Sequence, residues 1–338
     1  MITDLRSDTV TKPGAAMLNA MLMAGVGDDV FGEDPAVNEL EAVCAEMFNM
    51  QAALFCPSGT MTNQVAIKCH TQPGDEVICE KMSHVYIYEG GGIAFNSSCQ
   101  VKAVGGDRGK ISAEQIAASI NPPDIQKANS RLVSVENTAN RGGGSCYNFY
   151  DFEVIRVLCL QNNLKFHLDG ARLWNALVAN NENPKKYGDV FDSISICLSK
   201  GLGSPAGSVL LGDKEFIARA RRVRKIFGGG MRQAGYLAAA GLYALENNIP
   251  RLAQDHQHAK QIAAALQKKD FVKTMMPVET NILIFEVEGR YNAAGLVEIL
   301  KAENVLTIAI SPTEVRMVTH LDITSEMVSK LVQFISAL

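Results

Sequence analysis

The fold of this chain is indicated first by the segment Ile194-Ser-Ile-Cys-Leu-Ser-Lys-Gly-Leu-Gly203. A largely apolar, β-prone run ends here in Lys200, and glycines follow directly. Lysine is an unexpected residue at the end of a buried strand unless its amine is used. Desolvation and neighbouring cations lower the pKa of a lysine and leave a neutral, nucleophilic amine. The simpler alternative is a lysine that extends its ammonium group from the strand end into solvent.

Similar short β-rich runs recur through the first 250 residues. With the run at Ser193–Leu198, they are Ala53–Cys56, Glu76–Cys79, Gln100–Val104, Leu132–Val135, Lys165–Leu168 and Ser208–Leu211. Several are apolar at nearly every position, which is typical of strands that are covered on both faces. The sequence therefore predicts an α/β fold in which a mostly parallel seven-stranded sheet is flanked by helices.

Helix signals alternate with these runs. Asp34 followed by Pro35 predicts a helix start, and Ser112 with Gln115 predicts a capping box. Asp151 is expected to cap a further helix.

The pattern changes after Asn247-Asn-Ile-Pro250. Helices are predicted near 251–268, 292–303 and 324–337, and strands near 282–287 and 315–319. This mixture indicates a small α+β unit. We therefore expect two domains, a large one at residues 1–249 that includes the N-terminal segment and a small C-terminal one at 250–338.

Composition excludes several classes of protein. The 338 residues are 47% hydrophobic and 20% charged, as in an ordinary globular protein with a substantial core. The net charge of −4 gives no field that would attract nucleic acid. The longest uncharged stretch, residues 47–67, is interrupted by Pro57-Ser-Gly59, and the first eight residues lack a signal-peptide pattern. We expect no binding to nucleic acid or membrane.

The eight cysteines are scattered and form no Cys-x-x-Cys pair. Most lie in apolar runs, where a free cysteine behaves as a small buried hydrophobe. Reduced thiols predict a cytoplasmic protein, and no metal site is expected.

A candidate phosphate site follows one of the predicted strands, at Cys56-Pro-Ser-Gly-Thr-Met-Thr-Asn-Gln64. A strand ends, small residues turn the chain and a helix begins, which exposes backbone N–H groups at the positive end of a helix dipole. The alternative is an ordinary strand-to-helix turn in which Ser58 or Thr60 is the N-cap.

A candidate ligand-binding carboxylate lies in Phe166-His-Leu-Asp-Gly-Ala-Arg172. Open α/β sheets bind ligands outside the carboxyl ends of their strands, where Asp169 is expected. A buried carboxylate needs a cation or a strong donor. Arg172 is one candidate for this partner, and a purely structural Asp–Arg pair is the alternative.

A phosphate site, a strand-end aspartate and a strand-end lysine are together what pyridoxal phosphate requires. Lys200 would hold its aldehyde as a Schiff base, and Asp169 would keep its pyridine nitrogen protonated. His84, in Met82-Ser-His-Val-Tyr86, is then expected to stack on the ring or to exchange protons. The alternative for His84 is a histidine in a surface loop.

The sequence resembles the low-specificity L-threonine aldolases, pyridoxal-phosphate enzymes of the aspartate-aminotransferase-like fold type I. The motifs that carry this resemblance are Asp4–Thr11, Val26–Pro35, Pro57–Thr60, Glu136–Thr138, Asp169–Arg172, Cys197–Gly203, Gly228–Gln233 and Val315–Asp322. The resemblance implies cleavage of L-threonine or L-allo-threonine to glycine and acetaldehyde, with other β-hydroxy-α-amino acids accepted.

The resemblance also implies roles for individual residues. Lys200 matches the Schiff-base lysine, Asp169 matches the partner of the ring nitrogen, and His84 matches the ring-stacking histidine. The phosphate loop is matched by Ser58, Gly59 and Thr60. Arg172 matches a residue that contacts both cofactor and substrate, and Arg316 and Ser7 match groups that hold the substrate carboxylate. Arg232 matches a residue that reaches the phosphate of a neighbouring subunit. A homo-oligomer, dimer or tetramer, with its active site at the interface is therefore implied.

One position departs from the family pattern. Family members often have a histidine near the substrate hydroxyl after Glu136-Asn-Thr138, where this chain has Ala139. The acceptor of the hydroxyl proton (His84, a water or another group) and the threo/erythro preference are therefore left open.

The enzymatic alternative is a β-eliminating lyase or aminotransferase on the same scaffold. A phosphate- or nucleotide-binding module without chemistry is the non-enzymatic alternative.

Overall fold

The computed structural model describes residues 2–338. Its strands are β1 Thr3–Asp4, β2 Ala52–Cys56, β3 Glu76–Glu80, β4 Gln100–Val104, β5 Ser130–Glu136, β6 Lys165–Gly170, β7 Ser193–Cys197, β8 Ser208–Gly212, β9 Val272–Met275, β10 Ile282–Val287, β11 Val305–Leu306, β12 Ile308–Ala309 and β13 Glu314–Val318. Its α-helices are α1 Ala15–Leu22, α2 Pro35–Met47, α3 Gly59–His70, α4 His84–Ile87, α5 Gly92–Ser97, α6 Ala113–Ala117, α7 Phe149–Gln161, α8 Leu173–Asn180, α9 Lys185–Val190, α10 Lys214–Ile226, α11 Gly235–Asn247, α12 Leu252–Leu266, α13 Ala293–Ala302 and α14 Ser325–Ala337. None of the helices within this range combines the length and apolar character that a bilayer crossing needs.

The central sheet has seven strands in the order β2-β8-β7-β6-β5-β3-β4. Only β8 runs antiparallel to its neighbours, β2 and β7. The other neighbouring pairs are parallel. The predicted α/β fold with a mostly parallel seven-stranded sheet is therefore confirmed, and all seven predicted runs are strands of this sheet.

Both faces of the sheet are covered except at the edge strand β4, whose side chains are exposed or half-buried. Successive side chains of a strand point to opposite faces, so each strand contributes to two layers. Phe55 and Val133 belong to a large apolar cluster on one face, which also includes residues of α2, α7, α8 and α11. Their neighbours Leu54 and Leu132 belong to separate apolar clusters on the other face.

The second face also carries buried polar residues, and they alternate most regularly on β6 and β7. In β6 and β7 the residues Phe166, Leu168, Ile194 and Ile196 join the large apolar cluster. The alternate positions, His167, Asp169, Ser193 and Ser195, are polar and buried. We call these four residues the polar strip. The prediction that several strands are apolar at nearly every position thus does not extend to β6 and β7, although both are buried.

The helix starts follow from local capping chemistry. The Asp34 carboxylate accepts the Val37 amide at 3.1 Å at the start of α2, as predicted. The predicted capping box at Ser112 is also present. The prediction for Asp151 is wrong, because α7 begins at Phe149 and the side chain of Asn148 caps it. Asp151 lies within the first turn, where a carboxylate also interacts well with the helix dipole.

A four-stranded antiparallel sheet, in the order β12-β13-β10-β9, forms a second unit with α12, α13 and α14. The N-terminal strand β1 pairs in parallel with β11, and Leu5 lies in the apolar core of this second unit. The N-terminal segment thus packs on the C-terminal unit, although the expected division at residues 249 and 250 assigned it to the large domain. That division itself stays a prediction.

Phe152 is fully buried and packs against other aromatic side chains in the large apolar cluster on one face of the sheet. Its ring centroid lies 4.8 Å from that of Tyr147 and 5.1 Å from that of Phe191. We expect Phe152→Ala to lower the free energy of unfolding by about 3–5 kcal/mol, because the lost contacts leave a cavity. Leu160→Ala, on an exposed part of the same helix, should change it by less than about 0.5 kcal/mol. Urea unfolding measures both, and equal effects would contradict this packing.

Candidate active site

The carboxyl ends of β6 and β7 and the start of α3 meet around one small cavity of about 190 Å³. Its walls are Thr9, Ser58, Gly59, Thr60, Asn63, His84, Asp169, Ala171, Cys197, Ser199 and Lys200. Six of these are predicted site residues from four separate segments of the chain. A larger cavity of about 550 Å³, lined in part by His256 and Lys260, contains no comparable set of groups.

The N-terminus of α3 forms one wall of the cavity. The Ser58 hydroxyl accepts the Met61 amide at 3.2 Å, so Ser58, not Thr60, is the N-cap. The first amides of a helix have no acceptor one turn earlier, which leaves them able to bind an anion. A Cβ atom on Gly59 would lie 2.6 Å from the Cys197 sulfur, so only glycine fits at this position.

The Asp169 carboxylate is buried and is held by two neutral donors. The side-chain amide of Asn63 donates to Oδ2 at 2.9 Å, and the Ala171 backbone amide donates to Oδ1 at 3.1 Å. Arg172 does not pair with Asp169, so the expectation that it supplies the cation is wrong. The strong donor that a buried carboxylate requires comes instead from α3.

Arg172 pairs with Asp8. Its Nε and Nη2 atoms each donate to one carboxylate oxygen of Asp8 at 2.7 Å, and both side chains are buried. Burial opposes ionisation of Asp8, but the Arg172 guanidinium outweighs it and holds the pKa of Asp8 below its ordinary value. Arg172 therefore anchors the N-terminal segment to the start of α8, while Nη1 makes no hydrogen bond within residues 2–338.

His84 lies on another wall of the cavity, at the start of α4, and its side chain is about two-thirds buried. Its Nδ1 atom donates to Glu89 Oε1 at 3.0 Å. Burial opposes protonation of the ring, but the hydrogen bond to Glu89 and the nearby Asp169 carboxylate outweigh it and raise the pKa of His84. The alternative of a surface-loop histidine is therefore wrong.

Glu89 and Asp169 share one donor, because the Asn63 amide also donates to Glu89 at 2.8 Å. Gln64 donates to the second oxygen of Glu89 at 2.6 Å. One ligand atom from each of His84, Glu89 and Asp169 lies within 4.8 Å of the others, so these three could in principle surround a cation. The amide donors already satisfy the two carboxylates without one.

Glu136 connects two walls of the site from a fully buried position. It accepts the backbone amides of His84 and Asn140, each at 2.9 Å. Burial and the nearby Asp169 carboxylate raise the pKa of Glu136 to about 7.

Lys200 follows β7 and extends its amine into the cavity. The Cys197 sulfur, at 3.6 Å from Nζ, is the one hydrogen-bond partner of this amine within residues 2–338. Cys197 is buried and also accepts the Ser208 hydroxyl at 3.1 Å. The Lys200 amine therefore has no carboxylate bound to it that would have to be displaced.

Arg316 comes from β13 of the second unit. Its Nη2 atom donates to Asn140 Oδ1 at 2.8 Å and Nη1 to the Arg6 carbonyl at 3.2 Å, while the buried Nε has no partner within residues 2–338. Burial and the neighbouring Arg172 lower the pKa of Arg316 to about 10. Arg316 thus has a donor for one further acceptor.

The remaining predicted positions do not line the cavity. The Ser7 hydroxyl accepts the Thr9 amide at 3.3 Å and caps the 3₁₀ turn Asp8–Val10. Arg232 is half-exposed and donates to Asp28 at 2.8 Å. Ala139 is buried. A Cβ atom added at Gly109 would lie 2.6 Å from the Cβ of Ala139, so the loop that contains Gly109 covers this position. The roles predicted for Ser7, Arg172, Arg232 and Arg316 stay predictions.

Sequence reasoning assigned no role to Asn63, Glu89, Glu136 or Asp8. Asn63 carried one detectable signal, because it lies one turn into the helix whose start was proposed as a phosphate site. Glu136 and Asp8 lay within motifs of the resemblance, but nothing local identified their partners. Nothing in the sequence around Glu89 pointed to a role in the site, apart from the glycines at 90–92 that follow it.

Comparisons with known proteins agree with this geometry. Residues 4–289 match the family model described as beta-eliminating lyase. The chain is 45% identical to the low-specificity L-threonine aldolase of Escherichia coli K12, over 97% of this chain and 96% of that protein. It is 41% identical to low-specificity L-threonine aldolase 1 of Arabidopsis thaliana, over 95% and 92% of the two chains.

Solved structures share the fold. A threonine aldolase from Leishmania major superposes with a TM-score of 0.88 at 19% identity, covering 99% of both chains. The structure of SPT with PLP superposes with a TM-score of 0.75 at 15% identity, covering 99% of this chain and 87% of that one. The predicted assignment to fold type I is confirmed by these neighbours. From sequence similarity over nearly its whole length and from this fold, the chain belongs to the low-specificity L-threonine aldolases, a family of lyases.

Proposed function

We propose that this enzyme cleaves L-threonine and L-allo-threonine to glycine and acetaldehyde with bound pyridoxal phosphate, and accepts other β-hydroxy-α-amino acids. One observation carries the proposal. The Lys200 amine, the Asp169 carboxylate and the first-turn amides of α3 line the same cavity. The similarity to L-threonine aldolases of Escherichia coli and Arabidopsis thaliana supports the choice of reaction.

The residues of the cavity fit this cofactor. The start of α3 offers free amides to a phosphate, and Gly59 leaves room there that any side chain would fill. Asp169, kept as an acceptor by Asn63 and Ala171, can face a protonated ring nitrogen. When bound, the cofactor accepts the electron pair that is released as the Cα–Cβ bond breaks.

Arg316 is proposed to hold the substrate carboxylate. Its buried Nε lacks a partner within the described part of the chain, and a planar guanidinium can bind two oxygens at once. Arg172, tied through two nitrogens to Asp8, can add at most its remaining Nη1. Holding the carboxylate fixes how the bond to be broken stands relative to the cofactor ring, which selects the reaction.

His84 is proposed to accept the proton of the substrate hydroxyl at Nε2. Its Nδ1–H is engaged by Glu89, which orients the ring and makes Nε2 more basic. Ala139 offers no polar group for this step, and its burial behind the loop at Gly109 supports His84 or a water as the acceptor.

The active form is proposed to be a homo-oligomer, a dimer or tetramer, in which Arg232 reaches the phosphate bound by a neighbouring copy. Arg232 is half-exposed and lies beside Phe31, an aromatic side chain that is 72% exposed. We also propose a cytoplasmic location, which the eight free cysteines support.

Lys200→Ala tests the proposed function directly. The wild-type protein should release acetaldehyde and glycine from L-threonine in equal amounts, and sodium borohydride should attach the cofactor covalently to Lys200. The variant should lose both the labelling and at least about 10³-fold in kcat, because the lysine takes part in the chemistry itself. Lys301→Ala, at an exposed lysine on α13, is the control. Ammonia together with a keto acid would instead indicate the β-eliminating alternative, and a keto acid formed without ammonia would indicate transamination.

Arg316→Ala should mainly raise the KM for L-threonine. Loss of charge-assisted hydrogen bonds to the carboxylate predicts an increase of about 10- to 100-fold. Arg290→Ala, a half-exposed arginine of the same unit, should leave the KM unchanged. Steady-state kinetics decides, and an unchanged KM in Arg316→Ala would remove this residue from the substrate site.

Mixing two inactive variants tests the shared active site. Arg232→Ala should weaken cofactor binding in homo-oligomers, and Lys200→Ala should be inactive. Co-expressed, the two should recover part of the wild-type activity, because some sites receive both an intact lysine and an intact arginine. No recovery in purified mixed oligomers would contradict a contribution of Arg232 across the interface.

A further inference from the structure

A chain of buried hydrogen bonds leads from the site carboxylate Asp169 into the space between the sheet and α3. Asn63 Oδ1 lies 3.1 Å from His167 Nε2, and His167 Nδ1 lies 2.8 Å from the Ser193 hydroxyl. The same hydroxyl lies 2.8 Å from His70 Nε2. His167 is completely buried. His167, Ser193 and His70 have no role in the site described above, and Asn63 connects them to it.

The positions of these groups follow from regular periodicities. His167 and Asp169 are two apart on β6, so they point to the same face of the sheet. His167 and Ser193 are directly opposite each other on neighbouring strands. Asn63 and His70 are seven apart on α3, which places them two turns apart on one side of the helix. The chain therefore joins the polar strip to one face of α3.

The direction of every hydrogen bond in this chain is determined. The Asn63 amide faces two carboxylates, Asp169 and Glu89, and only its NH₂ group can donate to both. Its oxygen must then face His167, whose Nε2 therefore carries a proton. With the opposite amide orientation, the amide oxygen would face both carboxylates. Asp169 Oδ2 would then lose its one donor within residues 2–338, and Glu89 Oε1 would keep only His84.

The orientation of the Asn63 amide also determines where the protons of His167, Ser193 and His70 lie. Burial lowers the pKa of His167 to about 4, so the ring is neutral and Nδ1 is an acceptor for the Ser193 hydroxyl. Ser193, having donated its proton, accepts from His70 Nε2. Burial lowers the pKa of His70 to about 3, and its Nδ1 has no partner within residues 2–338. The chain of hydrogen bonds ends at the lone pair of His70 Nδ1, which accepts no hydrogen bond within residues 2–338.

We propose that His167 is a positioning residue for the cleavage reaction: protonated at Nε2 and neutral, it fixes the Asn63 amide with both N–H bonds directed at Asp169 and Glu89. Asp169 is thereby held as a hydrogen-bond acceptor with its orientation set. Glu89 is held in the position from which it orients His84. A single amide thus aligns both the ring-nitrogen partner and the ring-stacking histidine. This role rests on the proposed cofactor chemistry at Asp169.

The tautomer of His167 is the first test, and it is independent of activity. Solid-state ¹⁵N NMR of protein labelled only at its six histidines distinguishes a protonated Nε2 from a protonated Nδ1. The signal that disappears in His167→Gln identifies the residue. We expect a neutral ring with Nε2 protonated and Nδ1 bare. A protonated Nδ1, or a doubly protonated ring at neutral pH, would overturn the proposal.

Two substitutions then separate positioning from packing. In His167→Gln the side-chain amide can still donate to Asn63, whereas in His167→Asn it reaches Ser193 but not Asn63. We expect His167→Asn to lower kcat by about 10- to 100-fold, the usual cost of removing a group that orients a functional residue, with less than about threefold change in KM. His167→Gln should restore at least about one third of the wild-type kcat. Equal kcat values in the two variants would refute the role.

His256→Asn is the matched control, because His256 also contacts an asparagine, Asn175, at 3.0 Å, but outside this chain of hydrogen bonds. It should leave kcat within about threefold of the wild-type value. Borohydride labelling of Lys200 separates the two proposals. Absence of labelling in the wild type contradicts the cofactor chemistry, whereas normal labelling with the wrong His167 tautomer contradicts only the role of His167. If His167→Asn does not fold, the wild-type tautomer still decides.

Discussion

The burial of the central strands of the large sheet on both faces is the constraint on which the site depends. One face is apolar, but on the other the polar strip of β6 and β7 separates two apolar clusters. Buried polar groups must be hydrogen-bonded, and here α3 supplies the partners. Asn63 binds Asp169, and Thr62 lies 2.6 Å from the Ser195 hydroxyl. The same helix that covers the strip also presents its N-terminus to the cavity, so the proposed phosphate site and the carboxylate are held by one element.

Two further connections attach the substrate side of the site to this frame. The buried pair of Asp8 with Arg172 ties the N-terminal segment to the end of β6. The second connection runs from Arg316 through Asn140 to Glu136, which accepts the His84 amide. Breaking a buried ion pair by removing one partner is costly, typically about 3–5 kcal/mol, because the other charge is left uncompensated. The N-terminal segment is therefore held to the site by a buried ion pair, and the second unit by the hydrogen bond from Arg316 to Asn140.

The residues that could be predicted are those whose function depends on their place at a strand end. Lys200, Asp169 and Ser58 stood out because a polar or small residue directly after a buried run has few structural reasons to be there. All seven strands of the central sheet were also readable from local patterns. The partner of Arg172 was not readable, since Asp8 is 164 residues away in the chain and lies in a turn with no strong signal of its own. The alternation in β6 and β7 is a local feature of the sequence, whereas the burial of its polar residues depends on α3, which covers them.

Strand and helix periodicity, capping residues and strand-end chemistry were thus determined by the sequence alone, because each depends on residues within a few positions of one another. That information sufficed for the α/β sheet and for the lysine, aspartate and histidine of the cavity. Only the tertiary structure decided which partners satisfy these buried groups: the Asn63 amide donates to Asp169, whereas Asp8 accepts from Arg172 and Glu89 accepts from His84. These pairings depend on which distant surfaces come into contact during folding, and hydrogen bonds of the required length form only after the packing of α3, the N-terminal segment and the second unit has set the distances.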